Sequence, residues 1–310
     1  MLDADATTES KRNVSRMPVW IRQSLGDGAR YGSTLASVAG NALHTVCEEA
    51  RCPNRGECWS RGTATFMLLG DTCTRACGFC SVKTGRPLAL DQGEPQRVAS
   101  AVKRLGLRFV VLTSVNRDDQ PDRGVGIFAE TLQALRNVDT AIGIEFLTPD
   151  FQGYQPQSIE RMRQVLSDSI FTGSDWPALV WGHNVETVPA LYRWVRKGSK
   201  YSRSLQLLEL AGRLDDVETK SAIMLGLGEK QNQVVGVLKD LHNVGVKRVS
   251  IGQYLRPTMK HLPVEEYVPP EQFNEYGAIA RELGFDWVKS GPLVRSSYHA
   301  EEIQKELAAS

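Results

Sequence analysis

The sequence predicts an α/β fold, specifically an incomplete (β/α)6 barrel of the TIM type with N-terminal and C-terminal extensions. From residue 63 onward, short apolar runs alternate with segments of helical periodicity, the order that builds a parallel sheet. No G-x-G-x-x-G follows the first run, and a different polar motif follows each run. An open doubly wound sheet concentrates its site at one switch point, whereas a barrel gathers its site from many strand ends. The polar motifs therefore favour the barrel.

The predicted strands are short apolar runs bounded by polar or glycine-containing turns. They lie at 63–70, 109–114, 141–147, 178–181, 221–227 and 248–255, with a final strand-like piece at 285–288. Each is followed by polar residues at its carboxyl end, where the active sites of barrels are built.

The predicted helices carry apolar residues at three- and four-residue spacing, which places them on one face. In the first helix, 95–105, Val98, Val102 and Leu105 form such a stripe. The remaining helices are placed at 127–135, 159–166, 189–195, 204–214, 234–241 and 273–283.

The chain divides into four predicted segments. Residues 1–20 are polar and irregular, which is typical of a mobile tail. Residues 21–62 form an N-terminal extension, residues 63–284 the barrel, and residues 285–310 a C-terminal segment.

The composition excludes several classes of protein. The 310 residues include 37 Lys and Arg against 36 Asp and Glu, so the net charge of +1 argues against a polycationic nucleic-acid binder. No apolar run approaches the ~20 residues of a membrane span. The first residues mix acids and bases around no apolar stretch, unlike a signal or transit peptide, so a cytoplasmic location is predicted.

The six cysteines all fall between Cys47 and Cys80. Disulfide frameworks belong to short secreted domains, so crowded cysteines in a long cytoplasmic chain indicate a metal site. Cys73, Cys77 and Cys80 form C-x3-C-x2-C directly after the first predicted strand. Three such thiolates suit three irons of a 4Fe–4S cluster, whereas a zinc site normally takes four ligands. Three buried structural thiols remain the alternative.

A second triplet, Cys47, Cys52 and Cys58, forms C-x4-C-x5-C upstream. With six cysteines in all, two cubane clusters would each lack one protein thiolate. The open iron of one suits a small-molecule ligand. The other must recruit a ligand that is not cysteine, or the triplet binds something else.

The two triplets together resemble the lipoyl synthase family of radical S-adenosylmethionine enzymes. Further blocks resemble the same family over roughly residues 18–300: FMLLGDTCTRACGFC, LTSVNRDD, IEFLTPDF, HNVETVP, MLGLGE, QYLRP, HLPVEEYV and SGPLVRSSYHA. Two departures are visible. Arg123 stands where the family pattern has glycine, and Gly182 stands where the family commonly has asparagine, which removes a side-chain amide.

The resemblance implies that S-adenosylmethionine binds the open iron of the Cys73, Cys77 and Cys80 cluster and yields a 5′-deoxyadenosyl radical. It implies an octanoyl chain on a carrier lysine as substrate, with sulfur inserted at C6 and C8. The implied sulfur donor is a second 4Fe–4S cluster at Cys47, Cys52 and Cys58. Its implied fourth ligand is a serine, because a serine oxygen binds iron more weakly than thiolate does. The resemblance alone favours Ser297 over Ser296. Serines that simply form a turn are the alternative.

Other strand-end residues are weaker candidates for cofactor binding. Asn116 and Arg117 could bind the methionine end of the cofactor or form a helix-capping turn. Glu145 could bind ribose or form a structural salt bridge. The remaining candidates are Asn184, Glu186 and Gly226.

The implied partners are octanoylated lipoyl-carrier domains, of the 2-oxoacid dehydrogenase E2 or glycine cleavage H protein type. An electron donor such as ferredoxin or flavodoxin is also implied, and no nucleic acid or membrane. Two other functions are weighed. One is a different radical enzyme that inserts sulfur or methylthio groups, and the other is an iron–sulfur electron carrier, which would leave the strand-end motifs without a purpose.

Overall fold

A computed structural model of the chain describes residues 17–21, 44–45, 65–298 and 300. Most of the predicted tail and N-terminal extension lie outside these residues, as do Cys47, Cys52 and Cys58. Ser297 and the C-x3-C-x2-C motif of Cys73, Cys77 and Cys80 lie within them.

The main sheet contains seven parallel strands, with one short antiparallel strand added at its edge. Its order is β1-β2-β5-β6-β7-β8-β9-β10, and β3 pairs with β4 in a separate two-stranded sheet. The strands are β1 (His44–Thr45), β2 (Thr65–Leu68), β3 (Thr72–Cys73), β4 (Lys83–Thr84), β5 (Phe109–Ser114), β6 (Gly143–Leu147), β7 (Leu179–Gly182), β8 (Val217–Leu225), β9 (Arg248–Gln253) and β10 (Trp287–Gly291).

Helices alternate with the parallel strands, so the carboxyl ends of β2 and β5 to β9 all lie at one end of the sheet. The helices are α1 (Glu94–Leu105), α2 (Val125–Val138), α3 (Gln155–Asp168), α4 (Tyr192–Val195), α5 (Tyr201–Ala211), α6 (Gln231–Asn243) and α7 (Pro270–Leu283), with 3-10 turns at Val19–Ile21 and Pro189–Leu191. Among the helices in these ranges, none combines the length and apolar character of a membrane span.

The two faces of the sheet differ in chemistry. Side chains such as Leu112, Phe146 and Ile251 point to the outer face, where they form the apolar core with the helices. The register places Glu145, Lys220 and Arg248 on the opposite, inner face. The helices cover the apolar outer face, as in a barrel, and the inner face carries charged as well as apolar side chains.

One contact joins strands that are not neighbours in the sheet. The Lys220 ammonium on β8 lies 2.8 Å from the Glu145 carboxylate on β6, although β7 separates the two strands. Both side chains point to the inner face, as side chains in the interior of a barrel do. Strands β10 and β2 are not paired within the described residues, so the sheet is not closed there. The predicted incomplete barrel is confirmed.

The elements differ from the predicted ones in two informative places. Strand β8 begins at Val217, earlier than predicted, because Glu218 and Lys220 are charged residues that point into the barrel and hide the strand pattern. The final piece is a complete seventh parallel strand, β10, in register with β9 along five residues. Its half-buried second half, Lys289 to Gly291, carries no apolar signal.

Candidate functional site

The C-x3-C-x2-C motif occupies a loop that begins in β3, at the carboxyl end of the barrel. Cys73, Cys77 and Cys80 are all half-buried and none forms a disulfide. The Sγ of Cys73 accepts hydrogen bonds from the backbone N–H groups of Arg75, at 3.4 Å, and Asn116, at 3.3 Å. These two hydrogen bonds fix the position of the Cys73 sulfur within the loop.

Gly78 fixes the cysteine loop against two other loops. Its N–H donates to the Val195 carbonyl at 2.9 Å, and its carbonyl accepts from the Leu262 N–H at 3.0 Å. A Cβ at this position would lie 2.8 Å from the Leu262 side chain and 2.9 Å from the Trp194 carbonyl oxygen. The Nε2 of His261 lies 3.1 Å from the Cys80 carbonyl oxygen and holds the same loop. The motif therefore needs glycine between its second and third cysteines.

Burial and nearby positive charge have opposite effects on the pKa values of the thiols. Burial raises the pKa of Cys77 to about 11, and the positive charges of Arg196 and Arg75 counter part of that rise. Burial likewise raises the pKa of Cys80 to about 12. Thiols of this kind keep their protons until a metal replaces them, and metal binding then releases protons. The two guanidinium groups would offset negative charge that builds up on the loop.

Arg75 connects the cysteine loop to the strand ends. Its guanidinium binds Asp118 and Asp150, each at 2.7 Å, and donates to the Ser199 hydroxyl at 3.1 Å. Burial alone would raise the pKa of Asp150, but its ion pair with Arg75 holds that pKa at about 2. The sequence reasoning missed this residue. The sequence does contain a signal for it: an arginine inside the cysteine motif, and aspartates in the LTSVNRDD and EFLTPD blocks with which it could pair.

Asn116 and Arg117 organise the loops. The carbonyl of Asn116 accepts from the Thr74 N–H at 3.1 Å. The buried Arg117 guanidinium pairs with Asp119 at 2.9 Å and donates to the carbonyls of Leu69 and Leu88. All three guanidinium nitrogens of Arg117 have protein partners. These contacts favour a structural role in the turn over cofactor binding.

Glu145 lies inside the barrel with no exposed surface, and its carboxylate contacts the Lys220 ammonium at 2.8 and 3.0 Å. The ammonium also lies 4.7 Å from the centre of the Trp287 ring. These contacts favour the salt-bridge alternative over ribose binding. A buried carboxylate and ammonium stabilise a fold only as a pair.

Asn184 and Glu186 follow β7 and lie together. The Asn184 side chain hydrogen-bonds the Glu186 carboxylate, and its Oδ1 accepts from the Ser296 hydroxyl at 3.1 Å. Burial raises the pKa of Glu186, and the positive charge of Arg196 opposes the rise. Glu186 has φ 66°, a left-handed conformation that turns the chain after the strand while its backbone continues the pairing with Ile223.

His183, next to Asn184, is a buried structural residue. Its Nδ1 lies 2.8 Å from the Thr148 carbonyl oxygen, and its Nε2 lies 3.0 Å from the Ser204 hydroxyl. Burial lowers the pKa of His183 to about 3, and the nearby Arg196 charge lowers it further, so the ring is neutral at ordinary pH.

Gly226 ends β8 in a conformation that only glycine takes easily, with φ 94°. A Cβ there would lie 2.2 Å from the Gln253 side-chain nitrogen and 2.3 Å from the Glu266 carbonyl oxygen. Its N–H donates to the Glu229 carboxylate at 2.5 Å. The close approach is to the protein's own backbone, which explains the glycine without a ligand.

Ser296 and Ser297 lie in the turn that follows β10, at the carboxyl end of the barrel. The turn is closed by the Tyr298 N–H, which donates to the Arg295 carbonyl at 3.0 Å. Ser296 is held by Asn184, as described above. The half-buried Ser297 hydroxyl has no hydrogen-bond partner within the described part of the chain.

The donor set suits a cluster better than a single ion. Within residues 65–298, no group of three His, Cys, Asp or Glu side chains converges as the ligands of one metal ion do. The three thiols instead spread along one fixed loop, and each is half-buried. Three thiolates bound to three different irons lie farther apart than three ligands of one ion.

Comparison with known proteins identifies the family. Residues 67–241 match the Radical SAM superfamily. Lipoyl synthase of Rubrobacter xylanophilus is 50% identical over 286 residues, which span 92% of this chain and 85% of that protein. The chain belongs to the lipoyl synthase family. Lipoyl synthase 2 of a Nostoc species is 45% identical across 97% of this chain and the whole of that protein.

Solved structures support the barrel. Streptococcus suis SuiB, crystallised with its precursor peptide SuiA, matches with a TM-score of 0.54 at 12% identity. The match covers 88% of this chain and 55% of the SuiB chain. HydG, a maturase of the [FeFe]-hydrogenase, matches with a TM-score of 0.52. At such low identity, these matches concern the fold alone.

Membership of the lipoyl synthase family within the Radical SAM superfamily implies one 4Fe–4S cluster and S-adenosylmethionine as cofactors. The Cys73, Cys77 and Cys80 loop fits that requirement: it offers three thiols, no fourth cysteine among the described residues, and two nearby guanidinium groups.

Proposed function

We propose that this protein is a sulfur-inserting enzyme that converts an octanoyl group on a carrier-protein lysine into a lipoyl group. Carbon–hydrogen bonds at C6 and C8 are replaced by carbon–sulfur bonds, which completes the assembly of the lipoyl cofactor. The observation that carries the proposal is the C-x3-C-x2-C loop fixed at the strand ends of a partial barrel, in a chain 50% identical to a lipoyl synthase.

Cys73, Cys77 and Cys80 would hold three irons of a 4Fe–4S cluster, which leaves the fourth for the amino and carboxylate groups of S-adenosylmethionine. When bound, this pair supplies a carbon radical strong enough to remove hydrogen from an unactivated chain, which acid–base catalysis cannot do. The protein contributes a fixed loop through Gly78 and positive charge through Arg75 and Arg196.

Asn184 and Glu186 are our preferred contacts for S-adenosylmethionine, because both present polar side-chain atoms at a strand end. Asn116 and Gly226 would contribute indirectly: Asn116 holds the cysteine loop through its backbone, and Gly226 allows the turn after β8. Arg117 and Glu145 were also considered as cofactor ligands. Their protein partners favour a supporting role for Arg117 in the loops and for Glu145 in the barrel floor.

The auxiliary cluster would be held by Cys47, Cys52, Cys58 and Ser297, and it would supply the inserted sulfur. The bond between Ser296 and Asn184 supports this assignment, because it ties the C-terminal turn to the strand ends and leaves the Ser297 hydroxyl available. An oxygen ligand binds iron more weakly than thiolate. A weak fourth ligand suits a cluster that is taken apart during the reaction.

The substrates would be octanoylated carrier domains of the 2-oxoacid dehydrogenase E2 type or the glycine cleavage H protein type. A ferredoxin or flavodoxin would supply electrons. The cytoplasmic location stays a prediction from the sequence.

The decisive experiment incubates the anaerobically reconstituted protein with octanoylated carrier peptide, S-adenosylmethionine and dithionite. We expect mass spectrometry to detect a lipoyl peptide together with 5′-deoxyadenosine. Formation of 5′-deoxyadenosine with no sulfur gained would contradict lipoyl synthesis and favour a different radical enzyme. Two clusters also require about eight irons per chain, falling to about four when either cysteine triplet is replaced.

A serine exchange tests the fourth ligand. Ser297→Ala is expected to cleave S-adenosylmethionine at the wild-type rate while losing most sulfur insertion, because only the auxiliary cluster is affected. Ser296→Ala is the matched neighbour and is expected to retain more insertion, since it loses only the hydrogen bond to Asn184. Normal insertion by Ser297→Ala would show that the assignment is wrong.

A further inference from the structure

Three segments around the cysteine loop contain basic residues and no acidic ones. They are residues 76–90, 187–208 and 254–264. At the chain's average composition, a stretch of this combined length would hold between five and six Asp and Glu residues. Their cations are Lys83, Arg86, Arg193, Arg196, Lys197, Lys200, Arg203, Arg256 and Lys260. Arg196 is buried and Arg203 pairs with Asp150, but six of these cations are exposed. A protein with balanced charge thus has a concentration of exposed positive charge in these segments.

The contacts of the cysteine loop bring these three segments together. Gly78 bonds to Val195 in the second segment and to Leu262 in the third, as described above. Arg75 reaches Ser199 in the second segment at 3.1 Å, and His261 in the third holds the Cys80 carbonyl. The basic segments therefore surround the loop that carries Cys77 and Cys80, rather than spreading over the barrel.

Two large apolar side chains are exposed among these cations. Trp194 is 57% exposed and Met259 is 76% exposed, and each belongs to a segment bonded directly to the cysteine loop. The Arg193 guanidinium lies 5.2 Å from the Trp194 ring centre. Tryptophan, methionine and arginine are enriched where proteins bind one another. We call the surface formed by Arg193, Trp194, Lys197, Lys200, Met259 and Lys260 the loop face.

We propose that the loop face is the docking surface for a small acidic electron-transfer protein. The proposal rests on the proposed function, since the cluster at Cys73, Cys77 and Cys80 must receive an electron. One electron would pass from the partner's reduced flavin or iron–sulfur group to the cluster, which oxidises the partner by one electron and transfers no proton. Positive charge attracts an acidic partner, and the apolar centre provides contact area.

The position of the loop face favours an electron donor over the acyl carrier. An electron donor needs only to approach the cluster, and the loop face lies against the backbone that carries two of its ligands. A carrier must instead thread its lysine arm into the barrel at the strand ends. Complexes of redox proteins are small and transient, so a modest patch with long-range charge attraction is sufficient.

A charge-reversal variant tests binding directly. The loop-face variant combines Lys197→Glu, Lys200→Glu and Lys260→Glu, three exposed residues outside the ligand set. The matched control combines Lys103→Glu, Arg161→Glu and Lys239→Glu, which change the net charge equally on the exposed sides of α1, α3 and α6. The probe is an acidic flavodoxin in its oxidised form, with binding to the reconstituted enzyme measured by calorimetry at low salt.

We expect the loop-face variant to raise Kd for flavodoxin at least about tenfold, and the control variant to change it far less, since local charge governs encounter. The difference is expected to shrink as salt screens the charges. Trp194→Ala in the wild-type background is expected to weaken binding at all salt concentrations. Equal binding by the loop-face and control variants would overturn the proposal.

The rate of S-adenosylmethionine cleavage with two different reductants distinguishes docking from other roles of the same residues. With reduced flavodoxin, the loop-face variant is expected to form 5′-deoxyadenosine at least about tenfold more slowly than the control. With dithionite, both are expected to match the wild type. Equal loss with both reductants would overturn the proposal, because the residues would then support the cluster itself.

A raised KM for octanoylated carrier in the dithionite assay would also overturn the proposal, because it would assign the loop face to the carrier. The binding and cleavage measurements need no sulfur insertion. If the protein forms 5′-deoxyadenosine but no lipoyl product, the proposed function fails while the docking result stands by itself.

Discussion

Removing one member of the ion pair inside the barrel is predicted to destabilise the fold, whereas removing both is not. Glu145 and Lys220 have side chains that are 0% and 1% exposed, in contact at 2.8 Å. Lys220→Met leaves a carboxylate in a dry interior without its cation, which costs about 3–5 kcal/mol. Burial lowers the pKa of Lys220 and the carboxylate opposes that shift, so the pair depends on both charges.

The double variant Glu145→Gln, Lys220→Met is predicted to recover most of this loss, since neither charge remains. The assay is anaerobic thermal unfolding followed by circular dichroism. At about 2–4 °C per kcal/mol, the single variant is expected to unfold about 10 °C lower than the wild type. The double variant is expected within a few degrees of the wild type.

The same variants distinguish the two roles considered for Glu145. If the pair only supports the barrel, the double variant retains the wild-type KM for S-adenosylmethionine. A single variant with wild-type stability, or a double variant whose KM rises about tenfold while its stability is normal, would refute the structural role and indicate a ribose contact.

Two further predictions concern the cysteine loop and the effect of acid. Gly78→Ala is expected to lower the free energy of unfolding by about 1–3 kcal/mol through overpacking against Leu262, and to lower the iron content after reconstitution. Gly236→Ala is the control: its Cβ would meet no atom within 4 Å, so it is expected to be neutral or stabilising. Equal iron content in both variants would contradict the role given to Gly78. The pKa of His183, lowered to about 3 by burial, means that the unfolded chain binds a proton that the folded chain does not. Stability from this residue is complete above about pH 6.5 and is lost as the pH falls toward 3. His183→Asn is expected to flatten the pH dependence of unfolding in that range, and an unchanged slope would show that other groups set it.

Much of the fold was predictable because its outer face follows simple patterns. Strand β5 was predicted with the bounds that the structure has, since its residues are uniformly apolar and flanked by polar turns. The start of β8 was not, because Glu218 and Lys220 look like loop residues until their partners across the barrel are known. Long-range pairing of charges inside a barrel leaves no local signal in one sequence.

The candidate site, like the fold, was predictable only in part. The spacing of Cys73, Cys77 and Cys80 predicts the metal-binding loop from the sequence alone. The roles of Arg75 and Arg196 were missed because each depends on residues far away in the chain, Asp150 and Cys77 respectively. Whether a strand-end residue such as Arg117 is available to a ligand also depends on carbonyl groups that only the folded chain brings near.

The function proposed above requires that the protein inserts its own cluster sulfur into an octanoyl chain. The most direct measurement reconstitutes the protein with ³⁴S-sulfide and runs a single turnover with octanoylated peptide, S-adenosylmethionine and dithionite, without free sulfide. We expect a lipoyl peptide that carries two ³⁴S atoms. Unlabelled lipoyl peptide, or 5′-deoxyadenosine with an unchanged octanoyl peptide, would contradict it.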